Sequence, residues 1–235
     1  MTSLADQDLH SLGGPLSILT RQKRDHERLD RLLKRLATSA PGVEEQTTLQ
    51  SIARLVFPHA FAEESVIWPE ARRVLPDGEQ LTLRVEQEHQ EVNELWASLE
   101  QLRSGSPERT TTIVRLTEVL REDVRDEEDE LLPRLQDALD IRRLRLLGVA
   151  WEAVRRTAPT RPHPVVSRRP PGNALAALPL TVLDRSRDAL DAGGRRFPRL
   201  HDRTSRMSDR LAVVAGRVEH APSLRRGEDP STHRG

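Results

Sequence analysis

The sequence predicts an all-α protein: an antiparallel up-down-up-down four-helix bundle with additional C-terminal helices. Four segments before residue 145 repeat their apolar residues with a helical period. The breaks between them are short and carry Pro, Gly or Ser. The apolar complement is Leu, Val, Ile and Ala rather than aromatic, with no Tyr, three Phe and three Trp, and Arg and Glu are abundant; that composition favours helices. Short connections between helices of similar length make the antiparallel bundle the simplest packing.

The first helix is expected over residues 15–37, with Leu19, Leu29, Leu33 and Leu36 on one stripe and "SAPG" closing it. The second is expected over 43–74, with Ile52, Val56, Val66 and Ile67 inward and "LPDG" ending it. Pro58 lies inside it, where a missing N–H and a ring clash predict a kink or break. The third covers 79–102, carries Val85, Val92, Trp96 and Leu99, and stops at "SGSP". The fourth starts near Pro107 and runs toward Leu139, with a bend expected at Pro133. A further amphipathic stretch over 140–156 packs on the bundle as an appended helix, so 1–156 reads as one unit. Residues 157–172 are rich in proline and hold no acid, which reads as an extended connector. Residues 173–235 read as a basic helical extension with a disordered end, "APSLRRGEDPSTHRG".

Composition narrows the chemistry. Without cysteine, disulfides, thiolate metal sites and cysteine nucleophiles are excluded, so a metal must be held by His, Asp and Glu. Lys plus Arg equal Asp plus Glu, 37 each, so the chain as a whole has no field to attract nucleic acid or a membrane. After Gly193, however, ten arginines face five acids, and this arm suits an acidic partner, a membrane surface or nucleic acid, while its apolar face suits a docked helix. It lacks the aromatics for base stacking. His163, His201, His220 and His233 have no partners at ligand spacing and read as surface residues. No apolar stretch approaches the roughly 20 residues of a transmembrane helix, and a cytoplasmic protein is the default expectation.

Within the bundle, a few polar residues fall on the apolar stripes. His26 shares the stripe of Leu29 and Leu33, His59 and Glu63 stand one turn apart between Val56 and Val66, and His89 falls between Val85 and Val92. On the fourth helix Asp123 and Glu127 are again four apart, in register with Leu116, Leu120 and Leu131. Ionised groups are rarely buried alone, so these acids need compensation. Taken singly, each has an ordinary reading: a core histidine, a helix-surface pair, a solvated acidic face over 122–130. Taken jointly, three imidazoles and three carboxylates, contributed by all four helices, match the donors that iron, manganese or zinc accept. Two ions sharing bridging carboxylates use this number, with Glu63 and Glu127 as the natural bridges.

The phrases "DHERLDRLLKRL", "HAFAEESVIWPEA", "EHQEVNELWASL" and "VRDEEDELLPRL" resemble the four helices of hemerythrin-like (HHE cation-binding) domains over roughly residues 14–140. The resemblance implies a non-haem centre of two iron ions, with other divalent metals as substitutes. The family is linked to binding dioxygen, sensing oxygen or iron, and defence against peroxide or nitric oxide. By position, His26, His59, Glu63, His89 and Glu127 match family ligands. Two positions depart: Asp123 stands where the family has a histidine, and Asn93 where oxygen carriers have a second one. An anionic donor in place of a neutral one implies a lower iron potential, and the missing donor implies open coordination. The expected roles are His26 and His59 on one iron, His89 and Asp123 on the other, Glu63 and Glu127 bridging, with Glu122 or Asp126 as stand-ins for Asp123. Phe61 and Trp96 would restrict water. The function expected is binding, sensing or detoxifying a small-molecule oxidant, or handling iron. An enzymatic version would be a di-iron oxidase or peroxide-degrading protein, and the alternative is a metal-free helical interaction scaffold with a degenerate site.

Overall fold

Each apolar period of the bundle segment becomes a helix in the computed structural model, which describes residues 2–232. Helix α1 spans Ile18–Thr38 and α2 Val43–Ala62. α3 spans Trp68–Val74, α4 Gly78–Gln101, α5 Pro107–Asp126 and α6 Leu132–Ala138. α7 covers Ile141–Thr157, α8 Gly172–Arg196 and α9 His201–Glu219. Ser106 and Asp140 cap α5 and α7 by accepting from the N–H groups of Arg109 and Arg143.

Of the kink or break expected at Pro58, the break does not occur: α2 continues through it. The irregularity falls at Glu63–Ile67, a π-helical turn joining α2 to α3, and a second π turn at Glu127–Leu131 joins α5 to α6. Both precede a proline, Pro69 or Pro133. A proline donates no hydrogen bond and crowds the carbonyl four residues back, and a turn widened to five residues accommodates it. The widened bonds run from Trp68 N–H to Glu63 O and from Leu132 N–H to Glu127 O. The extra residue turns successive side chains inward: Glu63 and Glu64 are both buried.

The bundle interior holds two apolar clusters. One contains Leu19, Ile67, Trp68, Val85, Leu131 and Trp151, the other Leu29, Val56, Trp96, Leu116 and Leu120. The polar residues picked out from the sequence fall between them on every helix. α7 lies across α1 and α2. Its Gly148 makes this approach close, because a Cβ there would stand 2.1 Å from the Leu16 carbonyl oxygen.

Helices α8 and α9 form a hairpin around a third small cluster that includes Val166, Ala176, Leu180, Ala215 and Leu224. Residues 158–171 are irregular, as their prolines dictate, yet they are packed rather than open: Ala158, Thr160, His163, Val166, Ser167 and Arg168 are buried. Likewise the stretch after α9, expected to be disordered, contains a 3-10 turn at Pro222–Arg225 with Leu224 buried. His233 lies outside the described residues. No helix among the described residues is long and apolar enough to cross a membrane.

His163 corrects the sequence reading, which put it at the surface. It is buried, with Nδ1 3.1 Å from Glu219 of α9 and Nε2 3.1 Å from Asp184 of α8, and its backbone N–H donates to Asn93 Oδ1 of α4. Arg168 donates to its carbonyl, while Glu100, Arg161 and Arg187 complete the charged surroundings. Burial opposes the imidazolium, but Asp184 and Glu219 outweigh it and raise the pKa from 6.5 to about 9. The folded chain therefore keeps a proton that the unfolded chain releases. The stabilisation is full below pH 6.5 and is lost as pH rises through about 9. Thermal unfolding of the extension is expected to be earlier at about pH 9.5 than at about pH 6, with about one proton linked, and His163→Asn to flatten that dependence. An unchanged profile in the variant would assign the linkage elsewhere.

Candidate metal centre

The six side chains singled out from the sequence converge. His26 comes from α1, His59 from α2, Glu63 from the first π turn, His89 from α4, Asp123 from α5 and Glu127 from the second π turn. One donor atom each from His26, His59, Glu63 and Glu127 lies within 4.8 Å of the others, and so does a set from His89, Asp123 and Glu127. Exposure is 5% or less for four of them and 9% for His59 and Asp123.

The two glutamates stand between the histidines. Glu63 places Oε1 3.0 Å from His59 Nε2 and Oε2 3.7 Å from His89 Nε2. Glu127 places Oε2 3.1 Å from His26 Nε2 and Oε1 3.9 Å from His89 Nε2, and Asp123 Oδ1 is 3.4 Å from that same nitrogen. These are close contacts without hydrogen-bond geometry. His26 Nε2, both oxygens of Glu63 and Glu127, and Asp123 Oδ1 are buried with no hydrogen-bond partner among the described residues. Buried polar atoms are normally satisfied, so such a convergence of orphans is what a cation site leaves.

The far side of each ring is occupied. His26 Nδ1 is 2.9 Å from Glu128, His59 Nδ1 3.2 Å from Asp25 and His89 Nδ1 2.9 Å from Glu64. A carboxylate at Nδ1 holds the proton there and turns the Nε2 lone pair to the centre, the outer-shell pattern of metal-ligating histidines. Asp25 is in turn 3.6 Å from Arg155, and Glu64 3.7 Å from Arg168. These carboxylates were not recognised from sequence, although each adjoins a ligand candidate, in "DH" and twice in "EE".

Burial and crowding shape the protonation. Burial opposes a charged His59, yet Glu63 and Asp25 raise its pKa to about 9. His26 and His89 are likewise raised well above the usual range against burial, His26 by Glu127 and Glu128, His89 by Asp123 and Glu64. Glu127 is pushed up to about 8 by burial and by the charges of Glu63 and Asp123. Glu88, also missed from sequence, is pushed up to about 8 by burial and by Asp123 and Asp126. Protons and a metal ion compete for these lone pairs.

The remaining expectations divide. Glu122 and Asp126 do not join the cluster: Glu122 is 3.7 Å from Arg115, and Asp126 2.8 Å from Arg84. The aromatic walls are not Phe61 and Trp96. Trp68 stacks near His89, with ring centroids 6.4 Å apart, and Trp151 of α7 meets His59 edge-on at 5.3 Å. Trp96 packs against Phe57 in the second apolar cluster, and Phe61 lines a small cavity beside Glu64. Asn93 does not face the centre, since its amide donates to the His89 carbonyl and its oxygen accepts from His163.

Comparison with known proteins places this geometry. The family model for the hemerythrin HHE cation-binding domain matches residues 17–135. An uncharacterized hemerythrin-like protein of Schizosaccharomyces pombe is 24% identical over 134 residues, 57% of this chain. The chain thus spans 66% of that relative's length, just under two thirds. No solved structure matches. The matched segment opens at the residue before α1, closes inside α6 and encloses all six converging donors, and on that ground the chain belongs to the hemerythrin HHE cation-binding family, a family of metal-binding helical bundles.

Proposed function

We propose that the chain is a non-haem di-iron protein that binds, senses or detoxifies a small oxidant, namely dioxygen, peroxide or nitric oxide. His26 and His59 would hold one ion and His89 and Asp123 the other, with Glu63 and Glu127 available to both. The observation that carries this reading is the pair of orphan glutamates, each turning one oxygen to either side of the cluster. Bound iron supplies the redox chemistry.

The residues of the chain do the rest. Glu128, Asp25 and Glu64 keep the imidazoles in the tautomer that presents Nε2, while Trp68 and Trp151 keep water from His89 and His59. A cleft of about 520 Å³ between α1 and α5, with Leu29, Leu33, Leu120 and Val124 among its walls, brings a small molecule as far as His26 and Glu128 at the edge of the cluster. Asp123 adds a hard anionic donor that stabilises the oxidised metal. Asn93, committed to His163 and the His89 carbonyl, adds no donor. Both features favour oxidation chemistry or iron holding over reversible oxygen carriage.

Reconstitution of the full chain with ferrous iron under anaerobic conditions tests this. About two irons per chain are expected, with a spectrum that changes on adding dioxygen, peroxide or nitric oxide. Catalytic loss of peroxide marks an enzyme, and a stoichiometric response marks a binder or sensor. Failure to retain iron leaves the metal-free scaffold. Asp123→His is expected to raise the iron potential and make the response to dioxygen reversible, as judged by recovery of the starting spectrum under argon. Irreversible oxidation at the wild-type rate would count against the role given to Asp123.

A further inference from the structure

The family-matched segment ends at residue 135, yet the surroundings of the centre do not. Two of the three carboxylates at the Nδ1 atoms meet a guanidinium from farther along the chain: Arg155 of α7 at Asp25, and Arg168 of the irregular segment before α8 at Glu64. The third, Glu128, lines the cleft between α1 and α5 and has no arginine partner among the described residues. The least exposed of the three is Glu64, at 1%.

Both arginines are fixed by other contacts, so their positions are built rather than incidental. Arg155 is held by Glu152 and lies over the Trp151 ring at 5.0 Å, the same ring that meets His59. Arg168 is buried; its Nη2 donates to the His163 carbonyl at 3.0 Å and its backbone N–H to Glu228. Asn93 joins the same path, since it links the His89 carbonyl to the backbone of His163.

We propose that Arg155 and Arg168 are positioning residues of the centre, each completing an arginine–carboxylate–histidine relay that orients a ligand and tunes its donation, at His59 and His89 respectively. The C-terminal extension, through Arg168, is then part of the centre's outer shell. This rests on the reading of the six side chains as iron ligands. A positive charge beside the carboxylate limits how strongly that carboxylate polarises the Nδ1–H bond, and so how strongly Nε2 donates. Removing the charge strengthens the donation and favours the oxidised ion. The effect is larger at Glu64, which has the least water to replace its arginine.

The test uses the full-length, iron-reconstituted protein and the variants Arg168→Met, Arg168→Lys and Arg155→Met, with iron counted, circular dichroism checked, and Mössbauer spectra and midpoint potentials recorded. Arg168→Met is expected to retain iron, lower the potential and move one Mössbauer doublet, with Arg168→Lys restoring both because it keeps the charge. Arg155→Met is expected to move the other doublet by less. A purely structural contact predicts altered melting with no change in potential, or equal displacement in the Met and Lys variants of Arg168, and either result overturns the inference. A wild-type chain that takes up no iron overturns the di-iron reading and this inference together. A wild-type iron centre whose potential and spectrum are untouched by Arg168→Met and Arg155→Met overturns the inference alone.

Discussion

Glu127→Gln is expected to empty the centre of both metal ions while the bundle stays folded. Glu127 belongs to both donor groups, with one oxygen toward His26 and the other toward His89. The amide keeps the shape but replaces an anionic oxygen by a nitrogen that cannot ligate. In the metal-free chain the change is mild, because burial and the charges of Glu63 and Asp123 already raise this carboxyl to about 8. Burial thus already disfavours the charged form, and a neutral amide of the same shape is tolerated there. The sign follows: a carboxyl raised in the fold costs stability as pH climbs from 4.5 toward about 8, so the variant escapes that cost. Iron should stabilise the native chain by about 2.7 kcal/mol at a hundredfold excess over its dissociation constant. For a protein of this size that is a melting shift of roughly 5–10 °C. The shift should vanish in Glu127→Gln, and also in Glu63→Gln, because Glu63 turns one oxygen to His59 and the other to His89. Two irons and a normal shift in either variant would remove the bridging assignment.

Trp151→Ala is expected to cost the fold about 3–5 kcal/mol, a fall in melting temperature of roughly 6–20 °C. Trp151 is 1% exposed and packs in the apolar cluster with Leu144, Leu147 and Leu19. Its ring also meets His59 and carries Arg155. The collapse of such a site is resisted by rigid neighbours, so the cavity remains and its lining loses contacts. Trp151→Phe should recover much of the loss. Because α7 lies beyond the family-matched residues 17–135, the measurement asks whether this appended helix is integral to the bundle. A loss below about 1 kcal/mol would place it outside the cooperative unit.

Much of the fold follows from periodicity. The stripes through Leu29 and Leu33, Val85 and Val92, and Leu116 and Leu120 become buried faces because a helix repeats its direction every three to four residues. The six donors were legible for the same reason: His59 with Glu63 and Asp123 with Glu127 stand one turn apart on those stripes, where a charged group demands a partner. At Pro58 the helix continues where local chemistry allows a break, and the widened turns come instead before Pro69 and Pro133, next to Glu63 and Glu127.

By itself, then, the sequence determined the bundle helices, their antiparallel order and which polar residues share the apolar faces, since these follow from residue spacing within each segment and from short connections between segments. Only the tertiary structure decided which acid serves which histidine. Asp25 adjoins His26 in the chain yet holds His59, and Glu64 adjoins Glu63 yet holds His89. Neighbours on a helix diverge by about 100°, so an acid beside one of the six side chains meets a histidine from another side, and which histidine it meets is set by what packs there. His163, Trp151, Arg155 and Arg168 were hidden for the same reason: each meets its partners across elements far apart in sequence, and no period within one segment records that meeting.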